Sequence, residues 1–335
     1  MIEDTKKRIV VTGAGGFIGG CMIANLRAKG YANLCAVDRK LLTEWYQCFD
    51  DVDNMVLDLK DMQNCYTASQ GASDVYNLAA DMGGMGFIEK HKADCMLSVL
   101  ISTNMLVAAR DIGVKRFFYS SSACVYNADK QRDAHVTALK EADAYPALAE
   151  DGYGWEKLFT ERMCRHFRED FGLETRVARF HNVYGPNGTW DGGREKAPAA
   201  ICRKVIDAKR RKTGEIEIWG DGEQTRSFMY IDDCLKGVQM IASSDILEPM
   251  NLGSSELVTI NKLVDLAEEV GGVKLKRKYN LDAPKGVRGR NSDNTMIKKL
   301  LKWEPGTSLR DGIAKTYAWI EEQYEARLAG KRTVH

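Results

Sequence analysis

The sequence has almost no net charge: 48 lysines and arginines face 47 aspartates and glutamates, a formal balance of +1. A basic footprint for nucleic acid or an anionic membrane is therefore missing, and a small-molecule ligand is the favoured partner. Paired cysteines are missing too. The nine cysteines (Cys21, Cys35, Cys48, Cys65, Cys95, Cys124, Cys164, Cys202 and Cys234) are odd in number and never closer than 13 residues. That spacing excludes CxxC metal or redox pairs and any framework of small staples, so reduced thiols, a cytoplasmic setting and no metal site are expected. No run approaches 18 apolar residues, and the start passes from Lys6-Lys7 straight into a short apolar run and a glycine turn. Neither a secretory leader nor a membrane span is expected. Bias is absent as well: 44% hydrophobic and 28% charged residues exclude disorder, collagen and coiled coil, and 335 residues is about two domains' worth.

What is present is an alternation. Arg8–Thr12, Asn33–Asp38, Ser73–Leu78 and Val114–Tyr119 are short, apolar and β-rich, while Phe17–Lys29 and Ala93–Asp111 carry apolar residues at helical spacing. This β-α-β-α order predicts an α/β fold with a doubly wound parallel sheet over residues 1–181. A further strand is expected at Thr175–Phe180. Beyond it the pattern loosens into turns such as Gly185-Pro186-Asn187-Gly188, a helix over Ala197–Ala208, strands at Glu215–Trp219 and Arg226–Ile231, and an amphipathic helix at Ile260–Val270. Residues 182–335 therefore read as a smaller mixed α/β lobe, with some segment returning to the first domain. The basic run Lys209–Lys212 reads as a solvated turn.

The first strand runs into Gly13-Ala14-Gly15-Gly16-Phe17-Ile18-Gly19, where glycines at 13, 16 and 19 open a helix. Such a turn lets backbone N–H groups and the helix N-terminus approach a pyrophosphate. Asp38 ends the next strand, where a carboxylate accepts from ribose hydroxyls and repels a 2′-phosphate. NAD is the expected cofactor, although Arg39 beside Asp38 argues the other way. Asp58 and Leu59 are placed at the adenine edge, with a helix N-cap as the alternative for Asp58.

Tyr153 and Lys157 lie four residues apart at the start of the helical run Gly154–Phe171, hence on one helix face. An ammonium nearby, together with a cationic nicotinamide, favours phenolate and makes Tyr153 a base for a hydroxyl proton. Alone the spacing is common. It gains weight from the dinucleotide loop and from the strand ending in Ser120-Ser121-Ser122.

With TGAGGFIG, the LAA at 78–80, SSSACVY at 120–126, YGWEK, RFHNVYGP at 179–186 and GDGEQTRSFMYIDD at 220–233, the chain resembles the extended short-chain dehydrogenase/reductase family that acts on nucleotide sugars. AADMGGMGF at 79–87, GTWDGGREKAPAA at 188–200 and GVRGRNSDN at 286–294 are similar to the branch that inverts C3 and C5 of GDP-mannose. The resemblance implies oxidation at C4 by Tyr153, Lys157 and Ser122, with NAD reduced and reoxidised in each cycle, and products GDP-L-galactose and GDP-L-gulose. Dehydratases and decarboxylases of this family carry a carboxylate after the serine or threonine. Here Cys124 stands in that place, and its thiolate is expected to act as base beside the ketone, with Lys196 as the group on the opposite face.

The resemblance further implies a homodimer built on Ala93–Asp111 and Gly154–Phe171, and a sugar and diphosphate site at Gly83, Gly84, Ala123, Asn182, Glu195, Ala197, Lys204, Gln224, Thr225, Arg226 and Arg290. Two residues depart from the family pattern: Trp155 replaces a smaller aliphatic, and Asn127 stands where Tyr-Pro is common. Other readings remain open. A 4-epimerase or dehydratase would leave Cys124 idle, Cys124 itself could be a buried hydrophobe, and the fold alone would suit a non-catalytic NAD-binding regulator.

Overall fold

The computed structural model describes residues 4–284, 286–331 and 333. Seven parallel strands form the central sheet, in the spatial order Met250–Leu252, Glu174–Phe180, Arg116–Ser122, Asp74–Asn77, Ile9–Thr12, Leu34–Asp38 and Asp53–Val56. A parallel sheet is buried on both faces, which is why its strands read as continuous apolar runs. Alternate residues feed different cores. Ile9 and Val11 pack on one face with Ala36, Tyr76, Phe118 and Ala178. Val10 packs on the other with Cys35, Val37, Val75, Phe117 and Val177.

The chain leaves Ile9–Thr12 first toward Leu34–Asp38 and Asp53–Val56, then returns to build Asp74–Asn77, Arg116–Ser122 and Glu174–Phe180 on the other side. That reversal opens a crevice at the carboxyl ends of Ile9–Thr12 and Asp74–Asn77, where ligands of such sheets bind. Thr12 pins the crevice: its hydroxyl donates to the Asn77 amide oxygen at 2.8 Å and accepts from the Leu78 and Ala79 N–H groups at 3.1 Å.

In the second half, helices Ala197–Arg211, Ile260–Gly271 and Leu309–Leu328 pack on one another beside two small sheets, Glu215–Trp219 with Lys276–Asn280, and Leu257–Thr259 with Thr225–Ser227 and Gly289–Arg290. One apolar core runs from the lobe, through Val205, Val264 and Ile313, to Ile9 and Phe118 under the sheet. Met250–Leu252 returns to the sheet edge beside Glu174–Phe180, and Ile231–Ala242 packs against the first helix, Phe17–Ala28.

Several boundaries differ from expectation for local reasons. The strand expected at Arg226–Ile231 divides into Thr225–Ser227 and Met229–Tyr230, because the second piece pairs with Val183–Tyr184 and a helix begins at Ile231. The helix expected at Ala93–Asp111 is two, Lys92–Met96 and Ser98–Ile112, meeting at Leu97. By length and composition alone, Lys92–Ile112 is apolar enough to cross a membrane. Here it packs on Met62–Ser69 and Asp151–Phe171. The basic run at 209–212 closes a helix C-terminus, where cations suit the dipole, and Arg211 pairs with Asp207 at 2.8 Å. Asp61, not Asp58, caps Met62–Ser69 by accepting from Gln63 N–H at 2.7 Å.

Candidate active site

Two adjoining cavities share Tyr153, Ser122 and Lys196 in their walls. The first, about 460 Å³, runs over Gly13, Gly16, Phe17, Ile18 and Gly19 past Asp38 to Tyr153 and Lys157. A side chain at Gly19 would place its Cβ 2.2 Å from the Gly13 carbonyl oxygen, and Gly13 itself takes a left-handed φ of +70°. The glycines are thus demanded by the turn, which opens the helix beside a cleft lined by Gly13, Gly16, Phe17, Ile18 and Gly19. Asp38 stands at its far end, accepting from the Gly15 N–H at 3.1 Å and the Lys40 N–H at 3.0 Å. Asp58 and Leu59 line the adjoining recess with Gly13 and Asp38. The residues present fit NAD. Arg39, which argued for a 2′-phosphate, is drawn instead to Asp81 at 3.0 Å. Sequence reasoning missed Lys40, whose ammonium donates to the Gly15 carbonyl at 2.5 Å from within the same cleft.

Tyr153 and Lys157 are buried side by side near the start of Asp151–Phe171, with the ammonium 5.4 Å from the Tyr153 ring centre. Gly154 lets this helix close on the Cys124 turn, since a Cβ there would meet the Cys124 carbonyl oxygen at 2.3 Å. Burial pushes the Tyr153 phenol well above its ordinary range, with Cys124 and Glu156 adding to the effect and the hydrogen bond to Ser122 opposing it. Lys157 is not a lone cation: the Glu156 carboxylate lies 3.3 Å from its ammonium. A further positive charge facing the phenol, as a nicotinamide ring would bring, favours its ionisation.

The second cavity, about 250 Å³, is lined by Gly83, Gly84, Ser122, Ala123, Cys124, Asn182, Glu195, Lys196, Ala197, Lys204, Gln224, Arg226 and Arg290. Cys124 sits on the single turn Ala123–Val125, capped by the Ser122 hydroxyl, which accepts from the Cys124 N–H at 3.2 Å. Lys196 precedes the first turn of Ala197–Arg211. Burial pushes the Cys124 thiol up, with Glu150 adding and Arg290 opposing, and burial pulls the Lys196 ammonium down. Burial thus opposes the thiolate that a base at carbon requires, while Arg290 favours it. A thiolate opposite an ammonium, carried by different layers, would make a base and an acid for the same substrate.

One expectation for this cavity needs correction. Thr225 turns away from it, because alternate residues of a strand face opposite sides; its hydroxyl donates to the Ala134 carbonyl at 2.5 Å while Gln224 and Arg226 face the cavity. The Glu195 carboxylate serves Arg203 at 3.2 Å and the Gly193 N–H at 2.7 Å. Arg290 donates to Gln131 at 2.6 Å, to Glu150 at 2.5 Å and to the Cys124 sulfur at 3.6 Å. It braces the cysteine turn from the wall of this cavity. Arg226 lies beside it, its proton loosened to a pKa of about 10 by burial and by Arg290. The departures leave the cavity unchanged: Trp155 is 41% exposed on the outer helix face, and Asn127 donates to the Pro146 carbonyl at 2.8 Å.

The model of the NAD dependent epimerase/dehydratase family matches residues 9–253. The chain belongs to that family. It is 49% identical over 323 residues to GDP-mannose 3,5-epimerase 1 of Oryza sativa subsp. japonica, covering 96% of this chain and 83% of that protein. GDP-mannose 3,5-epimerase of Arabidopsis thaliana is 47% identical, with 96% and 84% covered. Among solved structures, the UDP-glucose 4-epimerase of Thermotoga maritima with UDP-glucose superposes with a TM-score of 0.85 at 25% identity, over 95% of this chain and 99% of that one. MoeE5 in complex with UDP-glucose and NAD gives 0.79 at 27% identity, over 95% and 99%. The family's cofactor is NAD, in keeping with the glycine loop and Asp38.

Proposed function

We propose that this chain inverts C3 and C5 of GDP-mannose through a transient 4-keto sugar, giving GDP-L-galactose and GDP-L-gulose. The supporting observation is the convergence of Cys124 and Lys196, from the sheet's carboxyl edge and from the lobe, on one cavity that also receives Tyr153 and Ser122. When bound, NAD supplies a hydride acceptor for C4 and a positive charge on its nicotinamide ring. Tyr153 holds and moves the C4 hydroxyl proton, Ser122 hydrogen-bonds the same oxygen, and Lys157 keeps the phenol's charge tolerable. A ketone at C4 makes the protons at C3 and C5 acidic. Cys124 removes or returns such a proton on one face while Lys196 serves the other, and no carboxylate follows Ser122 to drive elimination of water instead. Arg226 faces this cavity and gives it the positive potential that a diphosphate needs. The 47–49% identity to proteins named GDP-mannose 3,5-epimerase supports the same reading.

Turnover of GDP-mannose in deuterium oxide by NAD-loaded enzyme tests it. Deuterium is expected at C3 and C5 without a stoichiometric NAD requirement. An unlabelled C4-inverted sugar would replace this reading with a 4-epimerase. The protein is further proposed to act as a homodimer in the cytoplasm: Met96, Leu97, Leu100 and Phe159 leave an exposed apolar face across the helices beside the active site. Sedimentation of only a 37.5 kDa species at micromolar concentration overturns the dimer.

A further inference from the structure

We propose that Asp81 straps the cofactor cleft: its carboxylate holds one arginine of the sheet and one of the lobe at once, and so retains NAD through the cycle. Such a strap serves the cofactor and is indifferent to which sugar carbon is inverted. Asp81 and Arg194 belong to the stretches at 79–87 and 188–200, and neither has a part in the chemistry at C3, C4 or C5. The strand order explains why their contact spans the cleft. Ile9–Thr12 lies between Leu34–Asp38 and Asp74–Asn77. Arg39 follows the end of the first neighbour and Asp81 comes after the second, so their ion pair at 3.0 Å bridges the carboxyl end of Ile9–Thr12, where the glycine turn opens. Asp81 Oδ2 takes Arg39, and Oδ1 accepts from Arg194 at 3.1 Å.

Both ends of the strap are anchored. The Asp81 side chain is only 10% exposed, and its backbone N–H donates to the buried Ser98 hydroxyl at 2.9 Å. The Arg194 guanidinium lies 3.8 Å from the centre of the Phe87 ring, and the Arg194 carbonyl accepts from the Gly84 N–H at 3.0 Å. A Cβ at Gly84 would stand 2.5 Å from the Glu195 carbonyl oxygen, so the two loops close on each other only with glycine there. Arg39, Asp81 and Arg194 all line the dinucleotide cleft, and Lys40 shares it with them. Three cations at this end face two carboxylates, Asp38 and Asp81, and the surplus suits a diphosphate, so cofactor and strap reinforce each other. Retention has a purpose here. The proposed cycle returns the hydride to the sugar, and a cleft that let the reduced cofactor go would strand a ketone. A dehydrogenase, by contrast, must release it on every turn.

The test follows the fluorescence of NADH-loaded, sugar-free enzyme mixed with excess NAD, so that the decay reads the rate of cofactor release. Exposed ion pairs contribute little, and both arginines are half-exposed, so Arg39→Gln and Arg194→Gln should each speed release about three- to fivefold, and Asp81→Asn, which cuts both arms, about tenfold. Asp81→Glu keeps the charge and should release more slowly than Asp81→Asn. Adding Arg194→Gln to Asp81→Asn should change little further, because that arm is already cut. Release from Asp81→Asn at the wild-type rate overturns the strap. A double variant whose effect is the product of the two single ones overturns it too, since Arg194 would then act on the cofactor by itself. Should Asp81→Asn fail to fold, the two arginine variants, altered only at side chains half open to solvent, decide the matter: wild-type release from both overturns the strap. No sugar is present, so the result is independent of whether the enzyme inverts GDP-mannose at C3 and C5.

Discussion

The two pairs proposed to react in the cavity are built in opposite ways. Tyr153 and Lys157 share one helix, four residues apart, and that helix packs on the strands Arg116–Ser122 and Glu174–Phe180. Cys124 and Lys196 share nothing local: one rides a single turn at a strand end, the other the entrance of a lobe helix, and they meet only because the lobe folds over the sheet. The first pair is geometry fixed by helix pitch. The second is fixed by tertiary packing, so its proton affinities are set by whatever that packing brings near, here Glu150 and Arg290.

The largest expected effect separates the pairs outright. Tyr153→Phe removes the group that handles the C4 proton, and a positioned acid/base typically contributes about 10²- to 10⁴-fold. Product formation should fall by that order, and neither absorbance at the reduced nicotinamide band nor deuterium uptake should appear. Cys124→Ala should cost a similar factor in product while the reduced band still forms. If both variants lose both signals, the two pairs are one unit and the division drawn between them fails.

That division also explains what could be read from the sequence. The sheet and the Tyr153/Lys157 face follow from short apolar runs alternating with segments of helical spacing, signals that lie within single elements. The glycine turn and Asp38 were legible because backbone conformation and strand ends are local facts. Met250–Leu252 was foreseen only as an unlocated return, since three buried residues carry no period of their own. Thr225 was misassigned because a motif names neighbours together, whereas a strand sends them to opposite sides. That Arg290 also braces the cysteine turn had no local signal, because its partners, Gln131 and Glu150, lie far from it in the chain. Glu150 and Lys40 carried no signal at all beyond a helix cap of the wrong type and a second cation beside Asp38.

A smaller effect is expected at Asp38. A hydrogen bond to a charged group contributes about 1.5–3 kcal/mol, so Asp38→Asn should weaken NAD binding about ten- to a hundredfold. The preference over NADP should shrink as well, because the charge that repels a 2′-phosphate is removed. Titration of each cofactor against intrinsic fluorescence measures both. Equal affinities for NAD and NADP in the wild-type protein would remove Asp38 from this role and leave Lys40 as the determinant at that end of the cleft.

The smallest expected effect lies at the seam of the two halves, and it acts on stability rather than on rate. His181 follows the last long strand of the sheet, fully buried, with Nε2 3.0 Å from the Asn251 side-chain oxygen on the returning strand. Burial pulls its pKa down to about 3. The unfolded chain binds that proton near pH 6.5, so between these values the unfolded state holds more protons than the folded one. Stability from this group is therefore complete above pH 6.5 and is lost as the pH falls toward 3, at a limiting slope of roughly 1.4 kcal/mol per pH unit. His181→Gln keeps an amide able to donate to Asn251 but has nothing to titrate. Its urea midpoint should lie below that of the wild type at pH 7, where the tailored imidazole packing is lost, and the gap should narrow as the pH is lowered to 5. Parallel curves for the two proteins across that range would mean that the seam is held by packing alone, and that the acid sensitivity of the fold originates in the carboxylates of one half or the other.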